Sequence, residues 1–519
     1  MLTSLSKNAV YRILCTVLLF LVLIGLPLTS FPLLCQVTGA IVAPFSAIPL
    51  AVLMLVWLVP FLLERGKFPA EIVPYLYFVL IAVIISALAF FLNGFYARGR
   101  DFFGQSLRAF ITLVIGLSFY LTFAAFPRDE KTVRKIFLFI YIGGSLLILW
   151  TLLEVVLLRV YGNAQTLPGW MLSIRSILAV QSPTVQYTNR VTGFAYEPSW
   201  FVREFNLVLF PILLSAVVQR KSIFKFHIWK IQIEDLLMLF GLVVFGFSSP
   251  RVGLLAFLAS VAYLGYLLIK GLHQRITKWY LKRRRKQHAR VFWVKSILLV
   301  LIVVILLTVF AGALIGYILI ASRWDNRYQL LFEDYTFSTS DIFPLAETNL
   351  ILFARNLAFF ERMIYWFSGW NIFNDFPFGV GLGNAGFYFN ERMNGMGYDS
   401  LEIRNLVYRA GYLANTKNLW TRLLSETGFI GLAAFLVWLY ILWRSTVLIR
   451  KSESKIMQIL GLAGQLFLLA YLIEGLSMDS FAMPYQWVMT GLISAGGLIV
   501  RRELVSKGKP QVLESPQVS

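Results

Sequence analysis

The sequence predicts an all-α polytopic membrane protein with about twelve transmembrane helices and one large external loop. Hydrophobic residues make up 58% of its 519 positions, and the mean hydropathy is +0.73. No soluble fold hides that much apolar sequence in repeated long runs. Basic residues recur in alternate connecting segments, as expected where a chain crosses a bilayer repeatedly. A single long polar interruption, from Arg323 to about Thr416, marks the external loop.

The spans follow in order. The first covers about residues 11–30. Met1–Pro27 has the outline of a signal sequence but no clear small-residue cleavage site, and further spans follow, so we read it as an uncleaved first span. Cys15 and Cys35 bracket this span at different depths, which argues against an intrachain disulfide. Spans at about 45–63, 72–93, 107–126 and 135–158 come next, then an outer loop, Tyr161–Ser199, of roughly forty residues. Four more lie at about 201–218, 234–248, 252–270 and 296–320. The segment from Arg323 to about Thr416, roughly ninety residues, is long enough to form a small cap. Spans at about 427–445, 456–476 and 484–500 complete the set, and the polar tail Lys507–Ser519 has the composition of a disordered segment. The chain therefore divides into residues 1–322, the loop 323–416, a motif helix with three spans at 417–500, and a tail at 501–519. No internal repeat is visible.

A net charge of +21 raises nucleic acid as a partner, but the distribution argues against it. With both termini cytoplasmic, Arg65/Lys67, Arg128–Lys135, Arg220–Lys230, Lys270–Lys295, Arg444–Lys455 and the tail after Arg501 all fall inside. The run Lys282-Arg-Arg-Arg-Lys286 then reads as a topology determinant beside anionic membrane lipid. The outer side is different. Its basic residues are arginines, among them Arg98, Arg100, Arg203, Arg251, Arg323, Arg362 and Arg409, with Lys417 as its one lysine. Arginine offers a fixed fork of donors suited to phosphate or carboxylate, so an anionic ligand at the outer face is expected, although some of these arginines will be surface or ion-pair residues.

The polar stretch Asn415-Thr-Lys-Asn-Leu-Trp-Thr-Arg-Leu-Leu-Ser-Glu-Thr-Gly-Phe-Ile-Gly431 runs without a break into an apolar span. Read as one helix, it places Asn415, Asn418, Arg422 and Glu426 on one face, with Asn415 or Thr416 as N-cap. Lys417 would then sit in the first turn, where a cation opposes the helix dipole unless an anion is near. The same pattern also suits an ordinary amphipathic lead into a membrane helix, with Gly428 and Gly431 serving close packing. Upstream, Phe376-Pro-Phe-Gly-Val-Gly-Leu-Gly-Asn384 has three alternate glycines, which suit either a structural turn or close backbone approach to an anion.

Taken together, these stretches resemble the family of O-antigen ligases and O-antigen or exopolysaccharide polymerases. Lys417-Asn418, nine residues, then Gly428-x-x-Gly431 is similar to that family's His-Asn, nine residues, Gly-x-x-Gly pattern, except at the first position. Phe376-Pro-Phe-Gly-Val-Gly-Leu-Gly-Asn384, with Arg362 upstream, is similar to the family's Arg followed by Pro-x-x-Gly-x-Gly. Gly193-Phe-Ala-Tyr-Glu-Pro-Ser199 and Ser249-Pro-Arg251-Val-Gly253 resemble further family segments. By motif the resemblance covers about residues 190–450, and elsewhere it rests on the span pattern.

The resemblance implies a membrane glycosyltransferase fold of the GT-C type in the cytoplasmic membrane. It also implies an undecaprenyl-diphosphate-linked glycan as donor, chemistry at the outer face, and a chain-length regulator and a flippase as partners. Arg203, Arg251 and Arg362 become candidates for holding the diphosphate, with Asn384, Asn418 and Arg422 as further substrate-binding residues. No cofactor or metal is implied, and His227, His273 and His288 all lie in inner basic loops. The family's His, proposed to deprotonate the acceptor, is here Lys417. A lysine of ordinary pKa, about 10.4, is protonated at neutral pH and suits a phosphate ligand better. Glu197 and Glu426 then become candidate bases beside the catalytic position Lys417, with Asp375 in reserve, while pairing of Glu197 with Arg203 and of Glu426 with Arg422 is the structural alternative.

Within the family, polymerisation of lipid-linked repeat units is the first reading, because of the Tyr196-Glu-Pro-Ser199 segment and the absent histidine. Ligation of a finished glycan to a lipid or protein acceptor is the second. A transporter or flippase would carry ionisable groups near mid-membrane, whereas here Glu154, Arg203, Glu204 and Glu474 fall near predicted outer ends. Convergence of Arg203, Arg251, Arg362 and Lys417 on one external cavity would separate an enzyme from a sensor or scaffold.

Overall fold

The computed structural model describes residues 9–64, 66–92, 95–162, 167–183, 190–224, 231–248, 251–282, 297, 308, 312, 315–323, 359–393 and 395–507. The predicted span 296–320 for the most part, the first third of the large loop, the basic run after Lys282, His227, His288, Ser249-Pro250 and the tail beyond Lys507 lie outside the described residues. Two compact units emerge, Met1–Gly253 with Phe359–Ser519, and Leu254–Ala358.

The protein is mostly helical. Helices α1 (Ala9–Ile24), α2 (Pro32–Thr38), α3 (Ala47–Leu63) and α4 (Ile72–Leu92) lead to a two-stranded hairpin, β1 (Tyr96–Ala97) and β2 (Arg100–Asp101). Helices α5 (Phe102–Ala125), α6 (Glu130–Tyr161), α7 (Gly169–Leu178), α8 (Pro198–Gln219), α9 (Ile233–Ser248) and α10 (Arg251–Lys282) follow. After the second unit come α11 (Phe360–Asp375), α12 (Ala385–Arg392), α13 (Leu401–Tyr408), α14 (Leu419–Arg450), α15 (Lys455–Glu474) and α16 (Pro484–Ser506).

Among the described residues, seven helices are long and apolar enough to cross a membrane: α4, α5, α6, α8, α10 as far as Lys278, α14 and α15. Two shorter apolar helices, α1 and α3, join them. With α9 and α16 these coincide with every predicted span except 296–320. The chain is thus a multi-pass, all-α membrane protein. Their length follows from the bilayer, since about 20 apolar residues of helix cover its hydrocarbon core.

In the first unit, α14, α15 and α16 run in alternating directions, with α5 against α16 and α4 against α14. Their seam is aromatic. Tyr75, Phe78, Tyr120, Trp438, Trp487 and Phe435 are fully buried and interleave at ring separations of 4.7 to 5.9 Å. Trp438 Nε1 donates to the Tyr120 hydroxyl, which shares a hydrogen bond with Ser494, while the Tyr75 hydroxyl is buried without a partner. At Gly491 on α16 a Cβ would lie 2.9 Å from the Tyr120 carbonyl oxygen, so the close approach to α5 requires glycine.

Two helices carry a local π-turn, at Met54–Leu58 in α3 and Phe205–Leu209 in α8, each two residues ahead of a proline, Pro60 and Pro211. Proline lacks an N–H and its ring crowds the carbonyl four residues back, and a wider turn relieves both. In α3 that carbonyl, Val56, accepts from the Tyr11 hydroxyl of α1 at 3.2 Å.

The helices of this unit have chemically distinct ends. At one end, Arg128, Lys131 and Arg134 lie beside Arg502 and Glu503, and buried Glu71 is held by Arg501 and Ser445. At the other end lie the starts of α5, α8, α14 and α16 and the end of α15. In the second unit the described residues are α10 from Leu254 onward and a helical stretch at 315–321.

Candidate functional site

A cavity of ≈ 590 Å3 opens at the end away from the basic cluster. Arg203, Arg362, Lys417, Arg422, Glu197 and Glu426 all line it, together with Arg108, Gln105 and Asp479. Three of the four cations whose convergence would mark an enzyme therefore share one chamber. Arg251 is not among its lining residues.

The chamber is organised around the turn from Gly475 to Met483, between α15 and α16. Arg203 on α8 donates to the Ser477 carbonyl at 3.0 Å, and Arg362 on α11 donates to the same oxygen at 3.4 Å. Arg422 on α14 donates to the Asp479 carbonyl. Leu419 N–H at the start of α14 donates to the Gly475 carbonyl at 2.8 Å, and Trp487 Nε1 to that of Phe481 at 2.7 Å. Guanidinium groups from three separate helices thus point at one short loop.

Two of the three arginines are steadied by a carboxylate behind them. Arg203 lies 3.6 Å from buried Glu474, whose other oxygen accepts from Asn206 at 2.7 Å. Arg422 pairs with Glu426 at 2.9 Å, one turn on, and stacks over Phe481 at 5.0 Å. Burial and then the neighbouring Arg203 lower the pKa of Arg362 from the usual arginine range. Two guanidinium groups facing one carbonyl repel each other, an arrangement an anion would relieve. Gln105 Oε1 and Asp479 Oδ2 are buried without a hydrogen-bond partner, two unfilled acceptors on residues that line the chamber.

Lys417 adopts φ +47, in the left-handed region, outside the helix. Its Nζ lies 2.5 Å from the Glu402 carboxylate and 4.2 Å from the Tyr365 ring centre, and the Tyr365 hydroxyl donates to the same carboxylate at 3.0 Å. Burial acts to raise the Glu402 pKa, but Lys417, Tyr365 and Arg362 outweigh it, and the carboxyl lies below its usual range. Burial and the adjacent Glu402 charge raise Tyr365.

The helix expected from Asn415 starts instead at Leu419, with Asn418 as its N-cap accepting from the N–H groups of Trp420 and Thr421 at 2.8 and 3.3 Å. Asn418 is therefore the buried cap that was expected at Asn415 or Thr416, and Lys417, lying before the helix, does not oppose its dipole. Nor does the helix run unbroken. Gly428 takes φ +64 and ψ −173, and the turn at Pro377–Gly381 docks into the break: Phe429 N–H donates to the Pro377 carbonyl, and Val380 and Gly381 N–H donate to those of Ser425 and Glu426. The amides of the glycine-rich turn bind the protein's own carbonyls, while Gly383 N–H reaches the Glu426 carboxylate. Of the two readings open for this turn, the structural one describes Val380 and Gly381, whose amides serve the neighbouring helix.

The other expected site residues divide in the same way. Asn384 is fully buried and donates to Ser106 at 2.7 Å, tying α12 to α5. Asp375 pairs with Arg392 at 2.5 Å on the surface. Glu197 does not pair with Arg203. It precedes α8 and accepts from the Ser199 hydroxyl at 3.0 Å. The loop before it is held by buried Glu154, which accepts from Gly193 N–H at 2.9 Å and pairs with Arg175 at 2.6 Å. Arg98 donates to the carbonyls of Leu406, Val407 and Tyr412, bracing the end of α13.

Sequence reasoning passed over Arg108 and Asp479. Asp479 had one legible signal, as the acidic residue of a short turn between two apolar spans on the arginine-rich side. No protein-family model matches the chain, and a search of curated proteins finds no match.

Proposed function

We propose that this protein is a GT-C-like membrane glycosyltransferase of about twelve spans that polymerises polyprenyl-diphosphate-linked oligosaccharide repeats into a surface polysaccharide at the outer face of the cytoplasmic membrane. The observation that carries the reading is the convergence of Arg203 and Arg362 on one carbonyl, with Arg422 beside them, in a chamber that also holds Lys417 and three carboxylates. A diphosphate leaving group gains charge as its bond to the sugar breaks, and positioned guanidinium groups favour that state over the ground state. The basic far end of the helices supports an orientation with the chamber outside and both termini cytoplasmic.

In the proposed reaction, Arg203, Arg362 and Arg422 hold the donor diphosphate, and Lys417 adds a fourth cation once it leaves Glu402. The reducing end of the donor glycan then passes to a hydroxyl of a second lipid-linked unit. The test is the length distribution of lipid-linked glycan in host cells carrying wild type, Arg362→Ala or Lys417→Ala at matched protein level. Loss of long chains with accumulation of single repeats supports polymerisation. Normal chains that fail to reach their final acceptor would make the protein a ligase instead. Unchanged output in both would remove these residues from the site.

A further inference from the structure

The reading above leaves the acceptor hydroxyl without a base. Three carboxylates line the chamber, and they differ in what already binds them. Glu426 accepts from Arg422 at 2.9 Å and from Gly383 N–H, in the buried pair that anchors the start of α14. Glu197 occupies the N-cap position of α8, where the helix dipole favours its anion, and it accepts from Ser199. Asp479 differs from both, because its Oδ2 is buried and accepts no hydrogen bond.

Its main chain is held on both sides by hydrogen bonds. Arg422 holds its own carbonyl, Arg203 and Arg362 hold the carbonyl two residues before it, and Gln486 and Trp487 hold the two carbonyls after it. A carboxylate fixed on such a loop keeps its distance to whatever the same guanidinium groups bind. Lining the chamber beside Arg362 and Arg422, it neighbours the place where a bound diphosphate would sit.

Resting on the proposed polymerase reading, we infer that Asp479 is the general base of the transfer. Its carboxylate takes the proton of the acceptor sugar hydroxyl as that oxygen bonds to the donor's anomeric carbon. The bond from that carbon to the diphosphate oxygen breaks, and the electron pair leaves on the diphosphate between Arg203 and Arg362. The proton passes from Asp479 to the departing diphosphate or to water, so no other reactant is needed. A carboxylate with an unfilled acceptor position can receive that proton without first losing a partner.

The experiment pairs two measurements on the full-length protein. Lipid-linked glycan length is followed in cells, and binding of undecaprenyl diphosphate is followed with purified protein, for wild type, Asp479→Asn and Arg362→Ala. Asp479→Asn is expected to lower elongation by about 10²-fold or more while binding the diphosphate within about threefold of wild type, since only a proton acceptor is lost. Arg362→Ala is expected to lose binding as well.

Elongation by Asp479→Asn at the wild-type rate, or loss of diphosphate binding in that variant, overturns the assignment. Wild type that neither elongates glycan nor binds the diphosphate overturns the polymerase reading and this one with it. Should Asp479→Asn fail to accumulate, Asp479→Glu is compared with Asp479→Ser. Elongation only in the variant that keeps a carboxylate supports the base, and equal output in the two overturns it.

Discussion

Arg203 on α8 and Arg362 on α11 donate to one and the same oxygen, the main-chain carbonyl of Ser477, at 3.0 and 3.4 Å. The two are not equivalent. Arg203 is buried against Glu474, whereas Arg362 reaches the carbonyl from a partly exposed position on a helix outside the membrane-crossing set.

Replacement separates their roles. Arg203→Ala strands the Glu474 carboxylate with Asn206 as its remaining partner, and breaking a buried pair in this way costs about 3–5 kcal/mol. Arg362→Ala removes a long hydrogen bond, for which about 1 kcal/mol is expected. Thermal midpoints in detergent should therefore fall steeply for the first and little for the second, with elongation lost in both. Equal midpoints would show that Arg203 carries no special structural load.

Gly428→Ala should destabilise the protein whatever its catalytic state. A Cβ at this position would stand 2.5 Å from both the Phe378 carbonyl carbon and the Pro377 oxygen, backbone atoms that have no rotamer to change. Its backbone conformation alone costs a non-glycine residue about 1–3 kcal/mol. A wild-type thermal midpoint in this variant would contradict the observed break in α14.

The Arg422–Glu426 pair invites a double-mutant cycle. Either Arg422→Met or Glu426→Leu leaves one buried charge without its partner, at a cost of about 3–5 kcal/mol. The double variant should lose less than the sum, with a coupling of about 1–3 kcal/mol. Additive losses would show that the two side chains act separately.

Acid should loosen the contact between α13 and the lead-in to α14. The Glu402 carboxyl is held below its ordinary value, so the stability it contributes is present above the unfolded-state pKa and lost as pH falls through the folded one. Hydrogen exchange at residues 401–417 should therefore rise once pH drops below about 4.5, the usual range for glutamate. Glu402→Gln should abolish that pH dependence, and a variant that keeps it would place the titration elsewhere.

Much of this was readable along the chain, and the misses have a common cause. The apolar runs are local sums, and a stretch such as 72–92 declares a membrane helix from its own composition. The arginine bias of one side was equally plain, because charge in a connecting segment does not depend on what it touches. The start of α14 was misplaced because Asn415, Thr416 and Asn418 are all good capping residues, and the left-handed φ at Lys417 and Gly428, which sets where the helix begins and breaks, is not written in the pattern. The glycine-rich turn was left open between structure and anion binding for a related reason: the acceptors of its Val380 and Gly381 amides are carbonyls of a segment more than forty residues away.

Hydropathy and charge in the amino-acid order alone were enough to settle that the protein crosses a membrane many times, and to set connecting segments that mix lysine with arginine apart from segments whose basic residues are nearly all arginine. Packing settled which of those arginines meet. Arg203, Arg362 and Arg422 come from three distant helices, and they converge because the turn at Gly475–Met483 offers them unpaired carbonyls. Arg251, as promising on paper, does not line the chamber. Composition records how many donors a segment carries, but an acceptor shared between segments exists only once the chain has folded.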